Sequence, residues 1–282
     1  MPRRDLTGTV AIVTGTGSGL GRVMTLGLAA AGANVAGVDI DLEAAKKTAA
    51  EAGGAGKVVP LACDISGVAD TENTIRTVIA QLGGLHVLVN CAGLGMSWIR
   101  RDYLTNRLNF WDCPPDAWQR VMDVNVRGAF LMARAAAPHM MAQKWGRIVN
   151  VTTSMNTMIR GGNMPYGQSK AALEAATSSW AEDLEGTGVT ANVLVPGGAA
   201  DTPMVPHESP YARDKLVRPE VMVAPIRWLA SKDSDGITQR RFIGRLWKPD
   251  APDEENVKAA GAPAAWPELA AQAGLGQPKT TG

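Results

Sequence analysis

Short apolar runs, each closed by a polar residue or glycine, recur along the first two hundred residues. They alternate with longer stretches whose apolar positions return every three or four residues. Read as strands, the runs lie near 9–14, 34–39, 57–62, 86–90, 146–152 and 189–195. Read as helices, the stretches between them lie near 19–31, 42–52, 67–82, 115–143 and 164–186. A further helix near 219–231 and a short strand from Phe242 to Gly244 would complete the series. Alternation of this kind predicts right-handed crossovers and a doubly wound parallel sheet, a three-layer α/β/α arrangement in one domain. The domain is expected to occupy residues 1–248. Two segments break the rhythm: an insertion at 94–114, rich in tryptophan and arginine, and a Pro/Ala/Gly-rich extension at 249–282 with Trp266 and Leu269 as its expected anchors.

Composition narrows the function class. The chain has 282 residues, 45% of them apolar, which suffices for a sizeable core. No apolar stretch approaches the roughly 20 residues that span a bilayer. A net charge of +1 without a basic block argues against nucleic acid as the main partner. Cys63, Cys91 and Cys113 are odd in number and lack metal-ligand spacing, so they read as buried thiols of a reducing compartment, with no metal. Residues 1–5 lead into the first strand without a signal-peptide core. The sequence therefore reads as cytoplasmic.

The most specific chemistry lies at residues 14–21, Thr-Gly-Thr-Gly-Ser-Gly-Leu-Gly, between the first strand and the first helix. Gly15, Gly17, Gly19 and Gly21, with Ser18 and Leu20, make a turn whose backbone can approach a pyrophosphate, and the helix amides after it point at negative charge. Asp39 ends the second strand, where a carboxylate can take both hydroxyls of an adenosine ribose. Strand, glycine turn, helix and ribose acid together indicate a Rossmann-like dinucleotide site. An aspartate there repels a 2′-phosphate, and neither Thr16, Ser18 nor Ile40 offers a cation, so NAD is expected over NADP. Asp41 reads as the N-cap of the helix beginning at Leu42.

Tyr166 and Lys170, four residues apart, fall on one face of the helix after Pro165. A free phenol titrates near pH 10, so service as a base near neutrality needs a drop of roughly three units, or about 4 kcal/mol. An adjacent ammonium and a cationic nicotinamide can supply it. Asn125 sits inside an otherwise apolar helix, a poor place for a side chain that competes for backbone hydrogen bonds.

With these residues the chain resembles the short-chain dehydrogenase/reductase family over residues 7 to about 246. The glycine turn and Tyr166-x-x-x-Lys170 match its two signatures. Asp64 resembles its adenine-contacting aspartate. Asn90-Cys91-Ala92-Gly93 is similar to its Asn-Asn-Ala-Gly motif, with Cys91 in place of the second asparagine. Pro196-Gly197, with Ala199 and Thr202 downstream, resembles the segment that touches nicotinamide. The resemblance thus implies a cofactor site that adds Ile40, Asp64, Ile65, Asn90, Ala92, Gly93, Tyr166, Lys170, Pro196, Gly197, Ala199 and Thr202 to the glycine turn and Asp39. It gives Asn125 a local backbone distortion that holds a water between Lys170 and solvent. The family's substrate-orienting serine precedes the tyrosine by thirteen residues, a count that reaches Thr153; Ser154 is one residue later, and its chemistry favours it against the register.

The implied reaction is reversible hydride transfer between a secondary alcohol and a ketone, with Tyr166 as acid/base and oxidation the expected direction. Residues 94–114, 155–164 and 202–211 are expected to line the substrate pocket, where methionine and tryptophan suit a hydrophobic, cyclic or aromatic small molecule. Arg100, Arg101 and Arg160 are either carboxylate ligands or solvated loop residues, and His207 is equally open. The resemblance implies a homodimer or homotetramer formed through the helices at 115–143 and 164–186. A non-catalytic NAD-binding sensor or scaffold, or a lyase on the same fold, is the alternative.

Overall fold

In a computed structural model, which describes residues 4–271, the strands are β1 (Val10–Thr14), β2 (Asn34–Asp39), β3 (Val58–Ala62), β4 (Val87–Asn90), β5 (Gly146–Val151), β6 (Val189–Val195), β7 (Arg240–Ile243) and β8 (Gly261–Pro263). They form one sheet in the order β3-β2-β1-β4-β5-β6-β7-β8. Every neighbouring pair is parallel except β7 with β8. The helices are α1 (Gly19–Ala30), α2 (Leu42–Ala50), α3 (Val68–Leu82), α4 (Met96–Ile99), α5 (Pro115–Met122), α6 (Ala129–Ala142), α7 (Met155–Ile159), α8 (Tyr166–Asp183), α9 (Val223–Leu229), α10 (Asp253–Ala260) and α11 (Pro267–Ala271).

The sheet is buried on both faces because successive side chains of a strand point opposite ways. In β1, Ala11 and Val13 pack with Met24 and Leu28 of α1 and with Ile226 and Trp228 of α9. Val10 and Ile12 pack on the other face with Ile75 and Val78 of α3 and Met132 and Met140 of α6. Trp228, Phe242 and Trp247 form a ring cluster, Trp228 lying 5.3 Å from Phe242 and 5.0 Å from Trp247 between centroids.

One feature expected from the sequence is present, and two departures stand beside it. The helix read at 115–143 is interrupted by a π segment, Asp123–Gly128, that contains Asn125, which is the local backbone distortion expected there. The expected helix at 219–231 divides into a 3-10 turn, Pro219–Met222, and α9, since Pro225 has no N–H to continue an α ladder back to residue 221. Of the segment 249–282, read as an extension beyond the sheet, residues 249–271 instead form α10 and add β8 to the sheet edge, and residues 272–282 lie outside the described residues. Within 249–271, Asn256, Ala260 and Ala264 are buried, whereas Trp266 and Leu269 are exposed. Asn256 exchanges bonds with the Lys248 backbone at 2.7 and 2.9 Å, and Arg4 pairs with both Asp233 and Asp253.

The strand order reverses between β1 and β4, and at such a switch point the loops at the carboxyl ends of the strands diverge to leave a crevice. A cleft of about 770 Å³ opens there.

Candidate active site

The floor of the cleft is built where β1 and β4 end. The Thr14 hydroxyl accepts the N–H groups of Cys91 and Ala92 at 3.0 and 3.1 Å, fixing the two strand ends to each other. Gly15 and Thr16 donate to the Val38 carbonyl at 2.8 and 3.2 Å, which draws the glycine turn down onto β2. The turn has no room for side chains at its base. A methyl on Gly15 would lie 2.8 Å from the Ala92 Cα, and one on Gly21 would lie 2.6 Å from the Gly15 carbonyl carbon. Ser18 holds the N-cap of α1 in an extended conformation without a capping bond, leaving the first amides of the helix to face the cleft.

Asp39 is oriented rather than loosely solvated. Its two carboxylate oxygens accept the Gly17 N–H at 2.8 Å and the Asp41 N–H at 3.0 Å. Asp41 caps α2 through Ala44 N–H at 3.1 Å, the role its position indicates. Asp64 accepts both the Ser66 N–H at 3.0 Å and its hydroxyl at 2.6 Å. Those bonds, led by the hydroxyl and joined by Arg120, hold its carboxyl below the usual range. Backbone room over a helix N-terminus, with an oriented acid beside it, fits the diphosphate and ribose of a dinucleotide.

At the end of β5 the reactive side chains converge. Tyr166 opens α8, and the Thr153 hydroxyl stands near enough to its phenol to favour the phenolate. Burial pushes the phenol up to about 12, with the Thr153 hydroxyl pulling the other way. Lys170 is buried, donates to the Val151 carbonyl at 2.9 Å, and is brought down to about 8 by burial. The expected lowering of the phenol is therefore not a property of this chain by itself. Desolvation of the phenolate dominates, and the Lys170 ammonium by itself does not offset it.

Most sequence-predicted residues line the cleft: Gly15, Ser18, Gly19, Leu20, Gly21, Asp39, Ile40, Asp64, Ile65, Ala92, Gly93, Thr153, Ser154, Tyr166, Lys170, Pro196, Gly197, Ala199 and Thr202. Gly17 stands behind it as the donor to Asp39. Two assignments are corrected, Asn90 and the preference for Ser154, and the side chain of Asn125 has a structural use. Asn90 does not reach the cleft; it is buried, its amide donating to Asn150 Oδ1 at 2.9 Å to tie β4 to β5. Asn125 is equally buried. It accepts the Leu94 N–H at 2.7 Å and donates to the Leu94 carbonyl and the Ser169 hydroxyl at 3.0 and 2.9 Å, so its carboxamide fastens a loop. The preference for Ser154 over Thr153 also gives way. The Ser154 hydroxyl caps α7, accepting Thr157 N–H at 3.2 Å and lying 2.8 Å from the Thr157 hydroxyl, while the Thr153 hydroxyl stands near the phenol.

The three expected pocket segments all contribute, with a different chemistry from that foreseen. Of their methionines only Met96 and Met204 line the cleft, joined by Trp98, Tyr103, Leu104, Val205 and Tyr211 and by the polar Asn156, Thr157, Arg160 and Asn163. Arg100 pairs with Asp102 and Arg101 with Glu208, at 3.9 and 3.4 Å. Arg160 lines the cleft and has no carboxylate partner among the described residues. His207 does not line it. The sequence reading placed Thr14, Cys91 and Tyr103 in motifs or segments of the site without giving any of them a role there. Cys63 is buried as expected, but Cys113 is partly exposed, and Cys91 faces the cleft with its thiol pushed up to about 12 by burial.

A family profile described as short chain dehydrogenase matches residues 9–211. The chain is 32% identical to a 3-oxoacyl-(acyl-carrier-protein) reductase of Thermotoga maritima over 83% of its own length and 94% of that protein's. Among solved structures, a short-chain type dehydrogenase/reductase from Mycobacterium marinum superposes with a TM-score of 0.74 at 29% identity, covering 83% of this chain and 92% of that one. A 3-ketoacyl-(acyl-carrier-protein) reductase from Brucella melitensis complexed with NADH does so at 0.72 and 30% identity, covering 83% and 95%. The chain belongs to the short-chain dehydrogenase family and is an oxidoreductase of that type.

Proposed function

Starting from that membership, we propose that this protein is an NAD-dependent oxidoreductase that interconverts a secondary alcohol and a ketone, with Tyr166 as the acid/base. The observation that carries the reading is the nearness of the Thr153 hydroxyl to the Tyr166 phenol beside buried Lys170, on the wall of the cleft that also holds the glycine turn and Asp39. When bound, a nicotinamide cofactor supplies the hydride acceptor and, oxidised, a positive charge. Thr153 orients the substrate oxygen next to the phenol. With its titration near 12 the phenol is protonated at neutral pH in the chain alone, which suits it to give a proton to a developing alkoxide. Working as a base in alcohol oxidation requires added positive charge beside it. Lys170, mostly protonated at neutral pH, is the chain's own contribution to that charge.

The oriented carboxylate of Asp39 supports NAD, and the relative complexed with NADH is consistent with it. Trp98, Tyr103, Leu104 and Met204 support a hydrophobic, cyclic or aromatic substrate, while Arg160 offers a place for an acidic substituent. The reading includes a homodimer or homotetramer in the cytoplasm. Among the described residues no helix is long and apolar enough to cross a membrane. The test is a screen of cyclic and aromatic secondary alcohols, each paired with a carboxylate-bearing analogue, followed by NADH absorbance with NAD and NADP in parallel. Tyr166→Phe should abolish turnover while retaining NADH binding; undiminished turnover would remove Tyr166 from the reaction, and NADH binding without turnover in the wild type would leave a non-catalytic cofactor-binding protein.

A further inference from the structure

Three consecutive residues at the end of β5 are each held by an ionisable side chain from a neighbouring element. Lys170 Nζ donates to the Val151 carbonyl at 2.9 Å. The Thr152 hydroxyl donates to Glu174 Oε2 at 2.6 Å. Arg241 divides its guanidinium between two acceptors, one terminal nitrogen donating to that same Glu174 oxygen at 2.6 Å and the other to the Thr153 carbonyl at 2.6 Å. Tyr166, Lys170 and Glu174 follow one another at four-residue steps along α8 and so share a face. Arg241 comes from β7, across β6 from β5.

Neither Glu174 nor Arg241 lines the cleft. Both are buried, Glu174 completely and Arg241 with 6% of its surface exposed. A buried ion pair is a poor way to gain stability, because desolvating two charges offsets most of their attraction and apolar replacements of similar volume often do as well. Its geometry is more informative. The fork of Arg241 spans from the α8 carboxylate to the backbone of the residue whose hydroxyl stands near Tyr166. Thr153 and Tyr166 lie on different elements, and the relative placement of the β5 tip and α8 sets the separation of their hydroxyls.

We propose that Glu174 and Arg241 are positioning residues for the reaction assigned above: their buried pair clamps Thr152 and Thr153 against α8 and thereby sets the Thr153 hydroxyl beside the Tyr166 phenol. The proposal rests on the reading of Tyr166 as the acid/base, and it separates two functions within one arginine. Arg241→Lys keeps a cation for Glu174 but supplies a point charge that cannot bridge both acceptors as a planar fork does. Glu174→Leu/Arg241→Met removes both charges together, leaving no unpaired ion in the core.

The chain has three tyrosines, so ring-fluorinated tyrosine gives three fluorine resonances, and Tyr166→Phe identifies one of them. Thr153→Val defines the shift that follows loss of that hydroxyl. Arg241→Lys should move the Tyr166 resonance as Thr153→Val does, with the thermal midpoint held. It should also lower kcat for oxidation of 1-phenylethanol by about tenfold to a hundredfold, the loss a displaced reacting group produces, with KM for NAD unchanged. The double variant should do the same, and if it does not fold the lysine variant decides alone. A resonance and kcat at wild-type values in Arg241→Lys would overturn the proposal, as would a Thr153→Val chain whose Tyr166 resonance does not move. Wild-type turnover in Tyr166→Phe would instead sink the acid/base reading, with the fluorine shifts still reporting separately on the clamp.

Discussion

Replacing Asp39 by serine tests the cofactor preference at its physical source. The carboxylate is pinned by two backbone N–H groups, at 2.8 and 3.0 Å, so it cannot rotate away from a substituent on the ribose. Two unit charges 4 Å apart near a protein surface interact by about 4 kcal/mol at an effective dielectric of 20. Asp39 is half-buried at the cleft mouth, and solvent and salt reduce that figure, so about 2 kcal/mol of repulsion against a 2′-phosphate is a reasonable working value. The charge-assisted bond to a ribose hydroxyl is worth a further 1.5–3 kcal/mol or so to NAD alone. Together these amount to a preference for NAD over NADP of at least about a hundredfold, at 1.4 kcal/mol per factor of ten. Asp39→Ser should remove most of that ratio, weakening NADH and strengthening NADPH, and the NADPH gain should shrink as salt is added. Titration by the fluorescence of the reduced cofactors, at low and high ionic strength, reads both affinities directly. Equal binding of NADH and NADPH to the wild type, or an unchanged ratio in the variant, would refute the reasoning.

Gly21→Ala places a methyl 2.6 Å from the Gly15 carbonyl carbon, backbone against backbone. It should cost about 1–3 kcal/mol in thermal unfolding and eliminate NADH binding, because relief requires the turn to open. Lys170 titrates near 8 when folded against an ordinary 10.5. The unfolded chain then binds more protons between those values, and stability rises with pH across them. Lys170→Met should therefore be the more stable chain at pH 7 and lose that advantage by about pH 10, a difference of up to about 3 kcal/mol measurable by urea unfolding at both pH values. Trp228→Ala should cost about 3–5 kcal/mol. Trp228→Phe should cost clearly less, since it also removes a buried indole N–H that has no partner.

The sheet was legible because each face of each central strand is apolar, which leaves runs that no other element produces at that spacing. The cofactor end of the cleft was legible for a related reason: backbone contact imposes glycine at fixed positions, and an acid at a strand end has few other uses. The eighth strand escaped notice since Gly261-Ala262-Pro263 carries no periodicity, and the helix before it buries an asparagine rather than an apolar stripe. At Thr153 the count along the chain pointed correctly and hydroxyl chemistry misled. The oxygen of Ser154 is committed to capping α7, a use that Ser154-x-x-Thr157 already suggests. Asn125 was legible as unusual and Asn90 through its motif, but their partners, Asn150, Leu94 and Ser169, are remote in sequence and only folding brings them close. The direction of the Tyr166 shift was beyond reach, because desolvation depends on how deeply α8 packs and not on which residues stand next to the phenol.

The antiparallel pairing of β7 with β8 bears on how copies of this chain can associate. A bare β7 would present a ladder of open amides and carbonyls onto which another molecule's strand could add, the route to indefinite polymers. The three residues of β8 close that ladder and end in Pro263, while the opposite border strand carries Pro60, and proline donates no amide to a newcomer. Growth by strand addition is blunted at both margins, so open-ended polymers built that way are disfavoured.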